Sequence, residues 1–116
     1  MYKLQLMSPG IGSVTLATGD GFTLTTTLAS RVQANKLSAM ASSLVSVGES
    51  LGREAGQAAP DNVIMETSGG KLLLMRVPAL VEAVVLVVVA DTTAVLGHLL
   101  WSCRRTCVAI GSTGRP

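Results

Sequence analysis

Two short runs near the start of the chain, residues 12–18 and 22–28, alternate apolar and polar positions around Gly19-Asp20-Gly21. Val14 and Leu16 share a face of the first run, and Phe22, Leu24 and Leu28 share a face of the second. A period of two is that of a strand, and Asp-Gly tolerates the positive φ of a tight turn, so these residues predict a β-hairpin. After Ser30, a plausible N-cap, the period becomes helical: Leu37, Met40, Leu44, Val47, Leu51 and Ala55 recur at helix spacing. Residues 56–60 run from Gly to Pro and end that helix. Runs 61–67 and 71–77 then flank Ser68-Gly69-Gly70 as a second hairpin. Residues 80–89 are Val-rich and almost unbroken, as expected of a central strand covered on both faces. Asp91-Thr92-Thr93 offers N-capping side chains, and Leu96, Leu99, Leu100, Cys103 and Cys107 mark a closing amphipathic helix. Arg104 and Arg105 fall towards its C-terminal end, where positive charge suits the helix dipole. Residues 1–10 read as a short N-terminal segment ending in the breaker cluster Ser8-Pro9-Gly10, and residues 111–116 as a flexible, frayed tail. The predicted order is β-β-α-β-β-β-α, an α/β (α+β) fold whose five-stranded antiparallel sheet carries flanking helices.

The first helix is unusual in its small residues. Ala34, Ser38, Ala39, Ala41, Ser42, Ser43, Ser46, Gly48 and Gly52 occupy positions where a solvated face would carry Lys and Glu. Small side chains let a second helix approach closely. The preferred reading is a contact between the long helices of two subunits, centred on Ala34, Ser38, Ala41, Ser42 and Val45; packing within the chain's own fold is the alternative.

Composition sharpens this picture. Hydrophobic residues make up 48% of the 116, yet only Tyr2, Phe22 and Trp101 are aromatic, so the core is aliphatic. A small aliphatic core gains stability by burying surface against a second copy. Net charge is only +2, with no cationic run and no aromatic platform, which argues against nucleic acid as a partner. The most apolar stretch, residues 79–90, is interrupted by Glu82 and is shorter than the roughly twenty residues a spanning helix needs. No signal peptide is recognisable at the N-terminus. A soluble, cytoplasmic protein without integral membrane association is expected. Glu82 is expected at the surface near the start of its strand, because a buried carboxylate needs a partner.

Catalytic and cofactor chemistry finds little support. No phosphate loop or dinucleotide fingerprint is present; Gly10 and Gly12 precede the first strand and so belong to a turn. Cys103 and Cys107 lie one helical turn apart and read as reduced core thiols; with His98 the only histidine, a metal would lack ligands. No nucleophile motif supports a Ser-His-acid triad centred on His98. The expectation is a protein without catalytic, cofactor or metal residues. Trp101 falls off the main apolar face of the last helix and is either a partner-contact anchor or filling at the sheet edge.

From Pro9-Gly10 to Cys107 the chain resembles the roadblock/dynein light-chain family. The resemblance is carried by Asp20-Gly21-Phe22-Thr23-Leu24, Ala39-Met40-Ala41-Ser42-Ser43-Leu44 and Val63-Ile64-Met65-Glu66-Thr67. It continues through Gly69-Gly70-Lys71-Leu72-Leu73, the Val-rich run, Asp91 and Leu96-Gly97. It implies a domain over residues 11–110 with a profilin-like or longin-like fold. Family members usually begin with a full helix; with only about eight residues before Pro9, that helix is expected to be missing, very short or supplied by a partner. The resemblance also implies a homodimer in which third strands pair edge to edge and long helices lie adjacent. By position that edge is Asn62, Val63, Ile64, Met65, Glu66 and Thr67, with Glu66 either paired across the dimer or solvated. The function implied is a non-catalytic regulator or scaffold of a small Ras-like GTPase, as in single-domain bacterial members. The alternatives are an adaptor light chain in a dynein-like or scaffold assembly, or a small-ligand sensor.

Overall fold

The computed structural model describes residues 8–78 and 83–113. Five strands and two helices follow in the predicted order: β1 (Ile11–Thr18), β2 (Thr23–Thr26), α1 (Arg31–Glu54), β3 (Asn62–Thr67), β4 (Gly70–Arg76), β5 (Val84–Ala90) and α2 (Leu96–Thr113). The strands form one antiparallel sheet in the order β2-β1-β5-β4-β3. The Val-rich run lies at the centre of the sheet, hydrogen-bonded to β1 on one side and β4 on the other. Residues 79–82, and with them the expected start of that strand and Glu82, lie outside the described residues.

Alternation along the strands distributes the apolar residues over two layers of core. Val14, Leu16, Leu73, Met75, Leu86 and Val88 meet Leu99, Cys103, Cys107 and Ile110 of α2 on one face. Leu74, Val85 and Val87 meet Ala41 and Val45 of α1 on the other. The sheet is therefore sandwiched between the helices, and β5 is buried along almost its whole length. Each fully buried aliphatic side chain contributes about 1.5–3 kcal/mol of transfer free energy, so this strand is the thermodynamic centre of the fold.

Local chemistry sets the turns. Gly21 closes the first hairpin at φ +95°, with its N–H donating to the Thr18 carbonyl at 3.0 Å. Gly70 opens β4 at φ +144°, where a side chain would collide with the Ala90 carbonyl of the neighbouring strand. Ser30 caps α1 by accepting from the Gln33 N–H at 3.2 Å.

Phe22 and Leu24, which the alternation placed on one face of the second run, are 70% and 41% exposed. β2 is an edge strand whose Thr23 turns towards α1, so Leu24 emerges on the opposite face, beyond the cover of α2. Asp91 does not cap α2, which starts five residues later; its carboxylate closes a local turn by accepting from the Thr93 N–H at 2.8 Å. The closing helix runs on to Thr113 through the stretch expected as a tail, and residues 114–116 lie outside the described ones.

Candidate interaction surface

The inner side of α1 carries the small residues. Ala34, Ser38, Ala41, Ser42 and Val45, the positions expected to touch a second subunit, are all buried within the chain. Ala41 and Val45 rest on Leu74, Val85 and Val87, while the Ser38 hydroxyl shares a 2.7 Å hydrogen bond with Thr23 Oγ1. The Ser42 hydroxyl donates to the Thr18 carbonyl at 2.8 Å. A second molecule has no access to these five positions. The physical reason is proximity: the first hairpin comes so close to α1 that a Cβ on Gly21 would lie 3.2 Å from the Ala39 Cα. Small side chains suit so close a contact, and the Ser38 and Ser42 hydroxyls satisfy polar groups that it removes from water. Gly52 makes the same allowance at the other end, where a Cβ would lie 2.7 Å from the Ala58 carbonyl oxygen in the loop after the helix.

The outer side of α1 carries the large apolar residues. Met40, Val47 and Leu51 are 69%, 61% and 67% exposed. The exposed apolar face of α1 is therefore opposite the face expected to meet a second subunit. Sequence spacing did not separate the two sides, since small residues such as Ala39, Ser43 and Ser46 also lie on the exposed one. Leu37, Met40 and Leu44 form one wall of a groove of about 210 Å³, with Val63, Met65 and Leu72 opposite. Leu74 and Val87 lie beneath, and every lining side chain is apolar. This open apolar groove is the candidate interaction surface on this side of the sheet.

The groove is bounded by β3, which has no neighbour beyond it in the sheet. Asp61 accepts from the Arg76 N–H at 3.3 Å, and bonded pairs alternate along an antiparallel ladder. In the register that pairs Val63 with Leu74 and Met65 with Leu72, the main-chain groups of Val63, Met65 and Thr67 therefore point to β4. Those of Asn62, Ile64 and Glu66 point to the open edge. Such an edge is a template for another strand. Arg76 and Glu49 form a 3.4 Å ion pair between β4 and α1; both are solvent-accessible, so the pair contributes little to stability.

On the far side of the sheet, α2 presents a different face. Trp101 is half-exposed; the Arg105 guanidinium lies 4.9 Å above its ring centroid, and the His98 ring is 6.0 Å from it. Helical spacing placed Trp101 off the main apolar face, but the stacking of Arg105 on its ring was not read from the sequence. The Ser8 hydroxyl shares a 3.2 Å hydrogen bond with His98 Nδ1. Ser8 is buried and no carboxylate among the described residues completes a triad, so the contact anchors the chain to α2 and presents no accessible nucleophile. Cys103 and Cys107 are free thiols in the core, where burial pushes both up to about 12. Thiols so far from ionisation are poor nucleophiles and poor metal ligands. The Thr93 hydroxyl and N–H hold the Asp91 carboxyl below its ordinary range. Among the described residues no cluster of His, Cys, Asp and Glu could hold a metal ion, and no helix is long and apolar enough to cross a membrane.

The fold has several solved counterparts. A Roadblock/LC7 domain from Streptomyces avermitilis superposes with a TM-score of 0.86 at 22% identity, covering 95% of this chain and 90% of the other. MglB from Myxococcus xanthus gives 0.84 at 18% identity, with 96% and 88% covered. The gliding protein MglB from Thermus thermophilus gives 0.81 at 17% identity, with 96% and 82% covered. No curated protein sequence matches the chain. A family profile described as Roadblock/LC7 domain matches residues 1–90, from the N-terminus to the end of the central strand. The chain belongs to the Roadblock/LC7 domain family.

Proposed function

We propose that this chain is a homodimeric regulator or scaffold of a small Ras-like GTPase, acting in the cytoplasm and contributing a surface rather than a catalytic group. The observation that carries the reading is the continuity between the apolar outer face of α1, the groove beside it and the open edge of β3. Pairing β3 with its copy around a two-fold axis satisfies the outward main-chain groups of Asn62, Ile64 and Glu66. The same operation brings the two α1 helices together over Met40, Leu44 and Val47. Two separate costs, unpaired edge donors and exposed apolar surface, are thereby removed by one contact. A self-complementary patch of this kind is what a two-fold interface requires. A solved relative described as MglB with tetrameric arrangement, 19% identical and with a TM-score of 0.82, supports self-association as a habit of this fold.

Membership of the family and the likeness to the MglB folds of two bacteria support the reading of a GTPase partner. Its test is a pull-down of the tagged dimer from native lysate, run in parallel with GDP and a non-hydrolysable GTP analogue. Enrichment of a small GTPase in the GTP arm is the expected result. A partner captured equally in both arms would favour an adaptor subunit and overturn the regulator reading.

A further inference from the structure

The surface described above uses one side of the sheet and one edge, and α2 lies on the opposite side. Its outward face is not explained by dimerisation. His98, Trp101, Arg104, Arg105 and Val108 fall on this one side of the helix by their spacing. All five are exposed, with Trp101 at 51% and Val108 at 62%. The helix carries no acidic residue from Leu96 to Thr113. The single ion pair among the described residues lies elsewhere, between Arg76 and Glu49. Arg104 and Arg105 thus form a cationic pair that no carboxylate among the described residues neutralises.

The Trp101–Arg105 contact adds order to that charge. A guanidinium stacked on an indole has lost much of its rotamer freedom, yet its N–H donors lie in the guanidinium plane and remain free to bind. A stacked Arg is therefore preorganised for two parallel hydrogen bonds to a carboxylate. Trp101 and Val108 supply apolar contact beside it. We propose that the outward face of α2 is a docking site for an acidic, amphipathic peptide segment of a partner protein. Glu or Asp side chains of that segment pair with Arg104 and Arg105, and an apolar side chain rests on Trp101 and Val108.

A membrane surface fits less well. Leu99, Cys103, Cys107 and Ile110 of α2 are committed to the core and Leu100 packs against it, so Trp101 and Val108 are the large apolar side chains that α2 exposes, too little for interfacial insertion. The site faces away from the dimer surface, so each dimer would display two copies of it. The inference does not rest on the identity of the GTPase.

Trp101 is the only tryptophan of the chain, so its emission reports directly on the site. The full chain would be titrated with a Trp-free helical peptide of Glu-Leu-Leu-Glu repeats. A peptide with Lys in place of Glu, and phosphatidylserine-containing vesicles, serve as the other arms. The expected result is a saturable blue shift with the acidic peptide alone, weakened about tenfold or more by Arg105→Ala. The charge-reversed pair Arg104→Glu/Arg105→Glu is expected to bind the Lys peptide instead. Unchanged circular dichroism and dimer mass would show that these variants remain folded. No response to the acidic peptide, an equal response to the Lys peptide, or a response to vesicles alone would overturn the proposal.

Discussion

The two helices cover opposite faces of one sheet, and they do so with opposite patterns. α2 follows the usual rule: Leu99, Cys103, Cys107 and Ile110 point inward, while arginines point out. α1 inverts it, turning Ala34, Ser38, Ala41 and Ser42 inward and Met40, Val47 and Leu51 outward. The difference shows that apolar spacing along a helix does not by itself tell which face its own sheet covers. α2 is covered by its own sheet. α1 is attached to the sheet through a close, small-residue contact and leaves its larger side chains Met40, Val47 and Leu51 exposed, the face proposed above for a partner. Apolar spacing alone cannot distinguish these cases, because both helices have it.

The strongest way to break this comparison is to truncate one large apolar residue on each helix. Leu99→Ala, fully buried under α2, is expected to cost about 2–5 kcal/mol in denaturant unfolding. Met40→Ala is expected to change the unfolding free energy of a dilute, dissociated chain by less than about 0.5 kcal/mol. Equal losses at the two positions would mean that α1 is oriented differently. A smaller effect is expected at the inner face of α1, where Ala41→Leu adds volume against Val85 and Val87 without room to receive it. Overpacking should destabilise by about 1–3 kcal/mol, measured in the same way.

A third difference is electrochemical. The α2 core contains two thiols that burial raises from 9.0 to about 12, with Cys107 adding to the effect on Cys103. The unfolded chain releases these protons once the pH passes about 9, whereas the folded chain keeps them until about 12. Their contribution is thus complete below about pH 9 and is lost as pH rises through that window, at about 1.4 kcal/mol per pH unit for each thiol. Urea unfolding between about pH 8 and pH 10 should therefore lose more stability in the native chain than in Cys103→Ala/Cys107→Ala. Parallel pH profiles would show that the thiols are not buried as described.

Much of the fold was legible in the sequence because it depends on local chemistry. Asp20-Gly21 fixed the first hairpin, Ser30 the start of α1, and the uninterrupted valines the central strand. What was not legible depended on tertiary distance. The inward orientation of Ser38 and Ser42 depends on Thr23 and the Thr18 carbonyl, which sequence spacing does not place nearby. The exposure of Leu24 follows from the edge position of β2, which only the strand order reveals. For the candidate surface, β3 could be identified by position, but the matching face of α1 could not. Small residues on a helix suit a close neighbour of any kind, and here that neighbour is the chain's own sheet.

The central claim is that the outer face of α1 and the open edge of β3 form one interface between two copies. Its most direct test is the mass of the chain in solution by light scattering during size exclusion, at concentrations from the low to the high micromolar range. The native chain should give twice its 11.9 kDa. Met40→Glu/Val47→Glu, which charges the exposed face, and Ile64→Pro, which removes an outward edge donor, should each give a folded monomer. A native chain that remains at 11.9 kDa throughout, or a dimer that survives all three substitutions, would contradict the account.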